Sequence, residues 1–274
     1  MSRYALAEDP ESVPIRDAAT VVLVRDGRSS GARGDASGGI EVFLQKRVPQ
    51  MAFAPGMTVF PGGGVDPRDS QADIAWTGPE PAWWAEQFVA DAATAQALVA
   101  AAVRELFEEC GVLLAGRADG TLADPAPLQA QRQALVDKGI SLADFLAAEG
   151  LSLRADLLRP LARWTTPLGE RRRYDTRFFV AALPAGQHAD GRTSEAAETL
   201  WQTGAAAIAD FEAGKHVLLP PTWTQLREIT KFDTVADLLA APRTIESIIP
   251  TLKVTDAGVA VDFDGQEHYI SGGE

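Results

Sequence analysis

The hydrophobic pattern at the start of the chain predicts a β-hairpin. Residues 18–25 form a valine-rich apolar run bounded by charge, which is typical of a buried strand. Residues 40–47 alternate between apolar and polar side chains and predict a second strand, and the Gly-, Ser- and Arg-rich residues between them predict a long loop. Further strands are predicted at 57–60, 112–114, 161–167, 177–183 and 199–202, with an edge hairpin at 251–254 and 259–263.

A period of three to four residues predicts helices between these strands. The longest runs from about residue 91 to Cys110, with Gly111 as its expected stop. Residues 65–90, which include Trp83 and Trp84, predict an inserted and partly helical segment. Shorter helices are predicted at 126–138, 141–149, 205–212, 222–230 and 234–240, with Ser141 and Thr222 as N-caps.

The end of the long helix carries an unusual charge pattern. At about 100° per residue, Glu105, Glu108 and Glu109 fall within one narrow arc, while apolar side chains fill the opposite arc. Each like-charge neighbour costs a few tenths of a kcal/mol, and the negative end of the helix dipole adds roughly 0.3–1 kcal/mol per charge. Arg104 offsets part of this cost, and a cation would turn it into a gain. A solvated acidic surface is the alternative interpretation.

Composition and charge exclude several classes of protein. The chain has 274 residues, a net charge of −13 and a pI of about 4.7, which argues against a general binder of nucleic acids or anionic membranes. Cys110 is the single cysteine, so neither a disulfide framework nor a thiolate metal site is expected. The first residues lack a signal-peptide pattern, and no apolar stretch is long enough to span a bilayer. We therefore expect a cytoplasmic protein.

Three other motifs contain residues that could take part in catalysis or ligand binding. Residues 27–31 fit the G-x-S-x-G pattern, but the glycine-rich sequence that follows cannot start the helix that a nucleophile elbow needs. The run Phe60-Pro61-Gly62-Gly63-Gly64 is neither a P-loop nor part of a dinucleotide fold; it either lets backbone approach a ligand closely or simply makes a tight turn. The run Arg171-Arg172-Arg173 is either a solvated turn or a site for phosphate.

Together, the glycine run and the acidic helix resemble the Nudix hydrolases, whose box reads G-x5-E-x7-R-E-U-x-E-E-x-G-U. Arg104-Glu105-Leu106-Phe107-Glu108-Glu109-Cys110-Gly111-Val112 matches the second half at every fixed position. With Gly63 as the box glycine, Asp69 stands at the first glutamate, but 34 residues separate it from Arg104 where the pattern has seven. Counting back from Arg104 instead places Gln96 there. The box is thus interrupted by about 27 residues.

An interrupted box is similar to the branch of peroxisomal-type coenzyme A diphosphatases and their bacterial relatives. Segments 44–47, 60–63, 175–179 and 219–222 are similar to that branch too, whereas Ala52 departs from its coenzyme A motif, which has arginine. The resemblance implies an α/β fold, an α/β/α sandwich around a mixed β-sheet. We expect a single domain over residues 1–274, with a core at about 17–220, an insertion at about 65–97 and a C-terminal extension at about 221–274.

The resemblance also implies a metal-dependent site. Glu105, Glu108, Glu109 and a backbone carbonyl of the glycine run, taken as that of Gly63, would hold Mg²⁺ or Mn²⁺, and Arg104 would orient the carboxylates. Glu105 is one candidate for the base. Glu195 or Glu198 is another, and the alternative interpretation of this later pair is two acids in a solvent-exposed loop. Five arginines are the candidates for binding the substrate's phosphates: Arg47, Arg171, Arg172, Arg173 and Arg177.

The expected function is pyrophosphohydrolysis of a nucleoside diphosphate linked to another group. Coenzyme A or an acyl-CoA is the first expectation for this small-molecule diphosphate, and ADP-ribose, dinucleotides and nucleotide sugars stay open. The alternative from another class is a catalytically inactive Nudix-fold module that binds nucleotides. The insertion and the tail could close over the site or form a homodimer contact.

Overall fold

The computed structural model describes residues 7–27, 38–50, 54–70, 73–255 and 258–269. Residues 28–31 of the G-x-S-x-G pattern and Ala52 lie outside the described residues. The strands are β1 (Ile15–Asp26), β2 (Ile40–Arg47), β3 (Thr58–Val59), β4 (Gly62–Gly64), β5 (Trp76–Thr77), β6 (Ala115–Gly116), β7 (Ser152–Arg154), β8 (Arg159–Thr165), β9 (Arg173–Ala182), β10 (Ala196–Thr203), β11 (Ser247–Ile248), β12 (Thr251–Thr255) and β13 (Gly258–Asp262).

The helices are α1 (Pro81–Phe88), α2 (Ala92–Cys110), α3 (Gln129–Val136), α4 (Leu142–Glu149), α5 (Gly204–Glu212), α6 (Pro220–Ile229) and α7 (Val235–Ala240). Short 3₁₀ turns lie at Pro10–Ser12, Pro67–Ser70, Ala126–Leu128, Ala155–Leu157 and Gln266–His268. Across the described residues, we find no helix whose length and apolarity would let it cross a bilayer.

The main sheet is mixed and has the strand order β10-β2-β1-β9-β8-β11. β1 is antiparallel to β2 near its end and antiparallel to β4 near its start, and it is parallel to β9 along most of its length. The hairpin predicted from the first two apolar runs is confirmed. Pairing with the central strand β1 fixes the position of β4 and places Gly63 opposite Ala19.

Alternating side chains of the central strands feed two hydrophobic cores. Val21 and Phe179 face one core with helices α1 to α4, and Val22 and Val180 face the other with α5, α6 and α7. Helices thus cover both faces of the sheet, which confirms the predicted α/β/α sandwich. The tail hairpin β12–β13 forms its own two-stranded sheet, and Phe263 after it packs in the second core.

Several local predictions need correction. Residues 112–114 are buried but form no strand, and instead β6 begins at Ala115 within a small sheet of order β5-β7-β6. The N-cap of α6 is Leu219, not Thr222, because Pro220 suits the first helical position where no N–H is needed. The predicted cap Ser141 is confirmed, since its Oγ accepts a 3.0 Å hydrogen bond from Asp144 N.

Candidate active site

The glutamates at the end of α2 lie beside the glycine strand β4. Asp91 caps the start of the helix and Gly111 ends it with φ 71°, as the sequence predicted for Gly111. Glu109 Oε2 accepts hydrogen bonds from Gly62 N (2.9 Å) and Gln45 Nε2 (3.1 Å). The last turns of α2 are therefore held against both β4 and β2.

Gly63 lies so close to Glu105 that no side chain fits between them. A Cβ built on Gly63 would stand 2.5 Å from Glu105 Oε1. Gly63 itself has no left-handed backbone, so the requirement for glycine here is the close approach of the carboxylate. The glycine run thus lets its backbone lie directly against the carboxylates of Glu105 and Glu109, and the metal-binding role of a Gly63 carbonyl stays a prediction.

Arg104 organises the acidic end of the helix and is itself buried. Its guanidinium forms a two-pronged ion pair with Asp69, both distances being 2.9 Å, and donates to Gly64 O at 3.0 Å. Nη1 donates to Glu105 Oε1 at 2.8 Å and to Glu108 Oε1 at 3.3 Å. These contacts hold the carboxylates of Glu105 and Glu108, and the orienting role that the resemblance implies for Arg104 stays a prediction.

The structure also decides between Asp69 and Gln96 for the first carboxylate of the box. Asp69 is 3% exposed, and the 3₁₀ turn Pro67–Ser70 carries it to Arg104. Gln96 lies on α2 itself, eight residues before Arg104 and so about 12 Å along the helix axis. Asp69 is therefore the carboxylate that pairs with Arg104 across the insertion.

Burial and mutual repulsion make these carboxylates hard to ionise. Burial raises the pKa of Glu105 to about 7, against the attraction of Arg104, and Glu108 and Glu195 repel its charge further. Burial, followed by repulsion from Glu105, raises the pKa of Glu109 well above its ordinary value. Burial also raises the pKa of Glu108. A cation near Glu105 and Glu109 would relieve this cost.

Of the two later glutamates, Glu195 is brought to the site and Glu198 is not. Glu195 Oε2 pairs with Arg47 Nη2 at 3.1 Å, and its charge acts on both Glu105 and Glu109. Glu198 is exposed and pairs in register with Lys46, so its side chain lies on the sheet face opposite that of Arg47. Between the two, the geometry favours Glu195.

The predicted phosphate-binding arginines are also separated. Arg177 is 3% exposed, and its guanidinium pairs with Asp17 at 2.6 Å and Asp175 at 3.0 Å, so burial and these partners withhold it from a substrate. Arg173 begins β9 opposite Ile15, four residues and so about 13 Å along β1 from the position that pairs with Gly63. Neighbouring Arg171 and Arg172 are exposed in the same turn. Arg47 is the candidate that reaches the carboxylates.

Sequence reasoning missed Arg132 and Asp190. Arg132 on α3 is buried, donates from Nε to Glu108 O at 3.1 Å, and forms a two-pronged pair with Asp190, both distances being 2.9 Å. No local pattern could have identified this pair, because its members are 58 residues apart and each lies in an ordinary polar segment. Gln45 was equally unmarked, as one polar position of an alternating strand.

Comparison with known proteins places this chain in a family. The family model of the NUDT19 Nudix domain matches residues 79–231. The chain belongs to this Nudix family. A NUDIX hydrolase from Alicyclobacillus acidocaldarius has a similar crystal structure, with a TM-score of 0.70 and 30% identity over 85% of this chain and 99% of that one.

Curated relatives agree with the Nudix assignment. The acyl-coenzyme A diphosphatase NUDT19 of Homo sapiens is 26% identical, covering 93% of this chain and 80% of that protein. The nudix hydrolase 7 of Caenorhabditis elegans is 29% identical over 72% of this chain, and this chain spans 57% of its length.

The carboxylates at the end of α2 are the kind of ligand that binds a hard divalent cation. Within the described residues, no three His, Cys, Asp or Glu side chains already converge as a metal site. The reason is that Arg104 engages Glu105 and Glu108, while Glu109 turns to Gln45 and Gly62. Even so, Glu105 and Glu109 offer buried carboxylate oxygens that lack a full complement of positive charge, which is the ligand type Mg²⁺ and Mn²⁺ prefer.

Proposed function

We propose that this Nudix hydrolase cleaves the diphosphate linkage of a nucleoside diphosphate joined to another group, with Mg²⁺ or Mn²⁺ as cofactor and coenzyme A or an acyl-CoA as substrate. The observation that carries the proposal is the pair of buried carboxylates, Glu105 and Glu109, held against the glycine strand with too little positive charge to balance them. Water adds across one P–O–P bond, and two phosphomonoesters leave.

The chain's own residues would position the reactants and balance their charge, which is most of what phosphoryl transfer asks of a protein. Glu105 and Glu109, with a carbonyl oxygen of the glycine strand such as that of Gly63, would hold the cation, and Glu108 would contribute from the next position on the helix. Arg104 fixes Glu105 and Glu108 through its hydrogen bonds. The bound cation would supply charge neutralisation for the diphosphate and a lower pKa for bound water.

Two further residues complete the proposed arrangement. Glu195 is the candidate that would accept the proton of the attacking water, because it lies near Glu105 and Glu109 and is partly open to solvent. Its partner Arg47 pairs with Glu195 through Nη2, so its guanidinium would bring a positive charge beside the carboxylates where a phosphate of the substrate would bind. Arg173 begins β9 about 13 Å along β1 from the position that pairs with Gly63, and Arg171 precedes it in the turn, so both would meet only the far end of a long substrate.

The choice of coenzyme A rests on the relatives. The NUDT19 proteins of Homo sapiens and Gallus gallus, both named acyl-coenzyme A diphosphatases, are 26% and 27% identical to this chain. ADP-ribose, dinucleotides and nucleotide sugars share the same scissile linkage and belong in the same test. The cytoplasmic location and the homodimer expected from the sequence stay predictions.

A panel of diphosphates tests the proposal. Purified protein would be incubated with coenzyme A, an acyl-CoA, ADP-ribose, a dinucleoside polyphosphate and a nucleotide sugar, each with Mn²⁺, with Mg²⁺ and with chelator, and products separated by chromatography. We expect metal-dependent formation of 4′-phosphopantetheine and adenosine 3′,5′-bisphosphate from coenzyme A. Cleavage of another compound would replace the substrate, while tight nucleotide binding without any cleavage would identify an inactive binding module.

A further inference from the structure

The loop that joins β9 to β10 is seated on the C-terminal end of the acidic helix. Gln187, 5% exposed, accepts from Leu113 N at 2.9 Å and donates to Leu113 O at 3.0 Å, so its amide pairs with the backbone that leaves α2. Farther along, Asp190 N donates to Cys110 O at 2.9 Å. The Cys110 carbonyl, which the end of the helix would otherwise leave without an intrahelical partner, is thus satisfied by this loop.

Arg132 ties the same loop to the helix a second time. Its guanidinium, 4% exposed, forms the two-pronged pair with Asp190 while its Nε donates to Glu108 O. A buried cation is favourable at this negative end of the helix dipole. A Cβ at Gly111 would stand 2.9 Å from Arg132 Nη1, so the guanidinium packs directly against the residue that ends the helix.

Glu195 follows Asp190 by five residues, and the chain between them is a series of tight turns. Asp190 Oδ1 accepts from Arg192 N at 3.0 Å, Thr193 N donates to Gly191 O at 2.9 Å, and Glu195 N donates to Thr193 Oγ1 at 3.2 Å. Glu195 O in turn accepts from Val48 N at 2.9 Å. The position of the Glu195 carboxylate therefore depends on the position of Asp190, because a short hydrogen-bonded segment joins the two residues.

We propose that Arg132 and Asp190 are positioning residues that hold Glu195 at the correct place relative to Glu105 and Glu109, and so set the rate of the hydrolytic step. Neither side chain has to touch the substrate for this role. The inference rests on the proposed function, with Glu195 as the group that acts on the attacking water. Because misplacing a reacting group by about 1 Å can cost on the order of a hundredfold in rate, a rigid mount for Glu195 matters to turnover.

A double-mutant cycle separates this role from simple bracing of the fold. Turnover of coenzyme A with Mn²⁺ would be measured for wild type, Asp190→Ala, Glu195→Gln and the double variant. We expect Asp190→Ala to lower kcat by about tenfold to a hundredfold, with KM and Mn²⁺ affinity changing by less than about threefold. In the Glu195→Gln background, Asp190→Ala should lower kcat no further, because the group it positions no longer acts.

Two milder variants guard against loss of folding. Arg132→Lys keeps the positive charge at the helix end but loses the two-pronged geometry, and Asp190→Asn keeps the volume, so both should reproduce the fall in kcat in a folded protein. The control is Asp156→Ala, which breaks another two-pronged pair, with Arg154, away from the carboxylates and should leave kcat unchanged. Amide hydrogen exchange should quicken at residues 190–195 in the Asp190 variants, and not in the control.

The results of these experiments distinguish a failure of the proposed positioning role from a failure of the proposed hydrolytic function. A wild-type protein that cleaves no diphosphate overturns the proposed function and the inference with it. An active wild type overturns the inference alone in either of two cases. In the first, the losses from Asp190→Ala and Glu195→Gln multiply in the double variant; in the second, Glu195→Gln retains full turnover.

Discussion

At the residue scale, Glu109 bears much of the electrostatic cost of the site. It is 7% exposed, its carboxylate accepts hydrogen bonds from Gln45 and Gly62, and its charge is repelled by Glu105. Two hydrogen bonds between neutral donors and a carboxylate do not replace the hydration that burial removes. A residue held in this way costs stability in the metal-free protein and would regain it when a cation binds.

Replacement of Glu109 by glutamine tests its part in turnover. The amide oxygen can still accept from Gln45 and Gly62, so we expect Glu109→Gln to fold as the wild type does. It should lower kcat by about a hundredfold or more and weaken Mn²⁺ binding, because a charged ligand oxygen is lost. Steady-state kinetics and metal titration by calorimetry would measure both effects. Wild-type turnover in this variant would contradict the proposed mechanism.

The raised pKa values of Glu105 and Glu109 predict how stability depends on pH without metal. A glutamate in the unfolded chain loses its proton near its ordinary pKa of 4.5. Burial raises the pKa of Glu105 in the folded protein to about 7, and burial with repulsion from Glu105 raises the pKa of Glu109 well above its ordinary value. The folded state binds more protons in this window, so its stability should fall as pH rises from about 5 to 8.

Thermal unfolding of chelated protein at several pH values measures this fall. Glu109→Gln should flatten it and stabilise the metal-free protein at pH 8 by about 1–3 kcal/mol, and Mn²⁺ should flatten it for the wild type. A carboxyl such as Asp156, whose pKa is lowered by its hydrogen bond with Arg154, contributes stability that is lost only as pH falls through the acid range, so it does not mask the effect. Stability that rises steadily from pH 5 to 8 would contradict the prediction.

At the element scale, the site is the close approach of one helix to one short strand. α2 brings Glu105 and Glu109 to β4, and β4 is held by pairing with the central strand β1. The three glycines of β4 face different demands. Gly62 has φ 157°, and a Cβ built there would lie 2.5 Å from Ala19 O. A Cβ built on Gly63 would meet Glu105, whereas one built on Gly64 would meet no atom of the described residues within 4 Å.

Alanine at two of these glycines gives a matched pair of variants. Gly63→Ala should displace the Glu105 carboxylate and lower kcat about tenfold to a hundredfold, since reacting groups tolerate little misplacement. Gly64→Ala meets open space in an ordinary backbone conformation and should retain wild-type kcat. Steady-state kinetics and melting temperatures of both variants would test this. Equal losses of kcat in the two would show that β4 needs the backbone flexibility of glycine and not the close approach to Glu105.

At the scale of the whole molecule, one buried ion pair joins the two separated parts of the Nudix box. Asp69 and Arg104 are 35 residues apart, and the chain between them forms β5, α1 and the first turns of α2. Trp84 and Phe88 of α1 pack into the core shared with α2, so this inserted segment is built into the fold. The interruption of the box is therefore bridged by packing and by charge.

Loss of this pair should destabilise the protein. Asp69→Asn leaves the buried Arg104 with less compensating charge and should lower the free energy of unfolding by about 2–4 kcal/mol, measured by denaturant titration. Asp66→Asn is the control, because Asp66 pairs with the half-exposed Arg68 and should cost about 1 kcal/mol or less. Equal costs for the two variants would show that Asp69 has no special role in joining the box.

Much of the fold and of the acidic helix could be predicted from local pattern. The ends of α2 followed from Asp91 and Gly111, and the two strands of the first hairpin followed from their apolar runs. The predictions that missed concerned partners: Arg177 is shielded by Asp17 and Asp175, and Glu198 faces away from the carboxylates. Which face a residue occupies depends on strand register, which a single sequence does not show around a bulge such as that at residues 196–198.

The sequence by itself determined the elements and the clustering of charge on one helix, because helical periodicity and caps are set by neighbours three or four residues apart. Only the tertiary structure decided that Asp69 pairs with Arg104, that Glu195 joins the site, and that Arg132 with Asp190 holds the loop in place. These contacts join residues 35 to 148 positions apart, and such pairs form only when distant segments pack around a shared core.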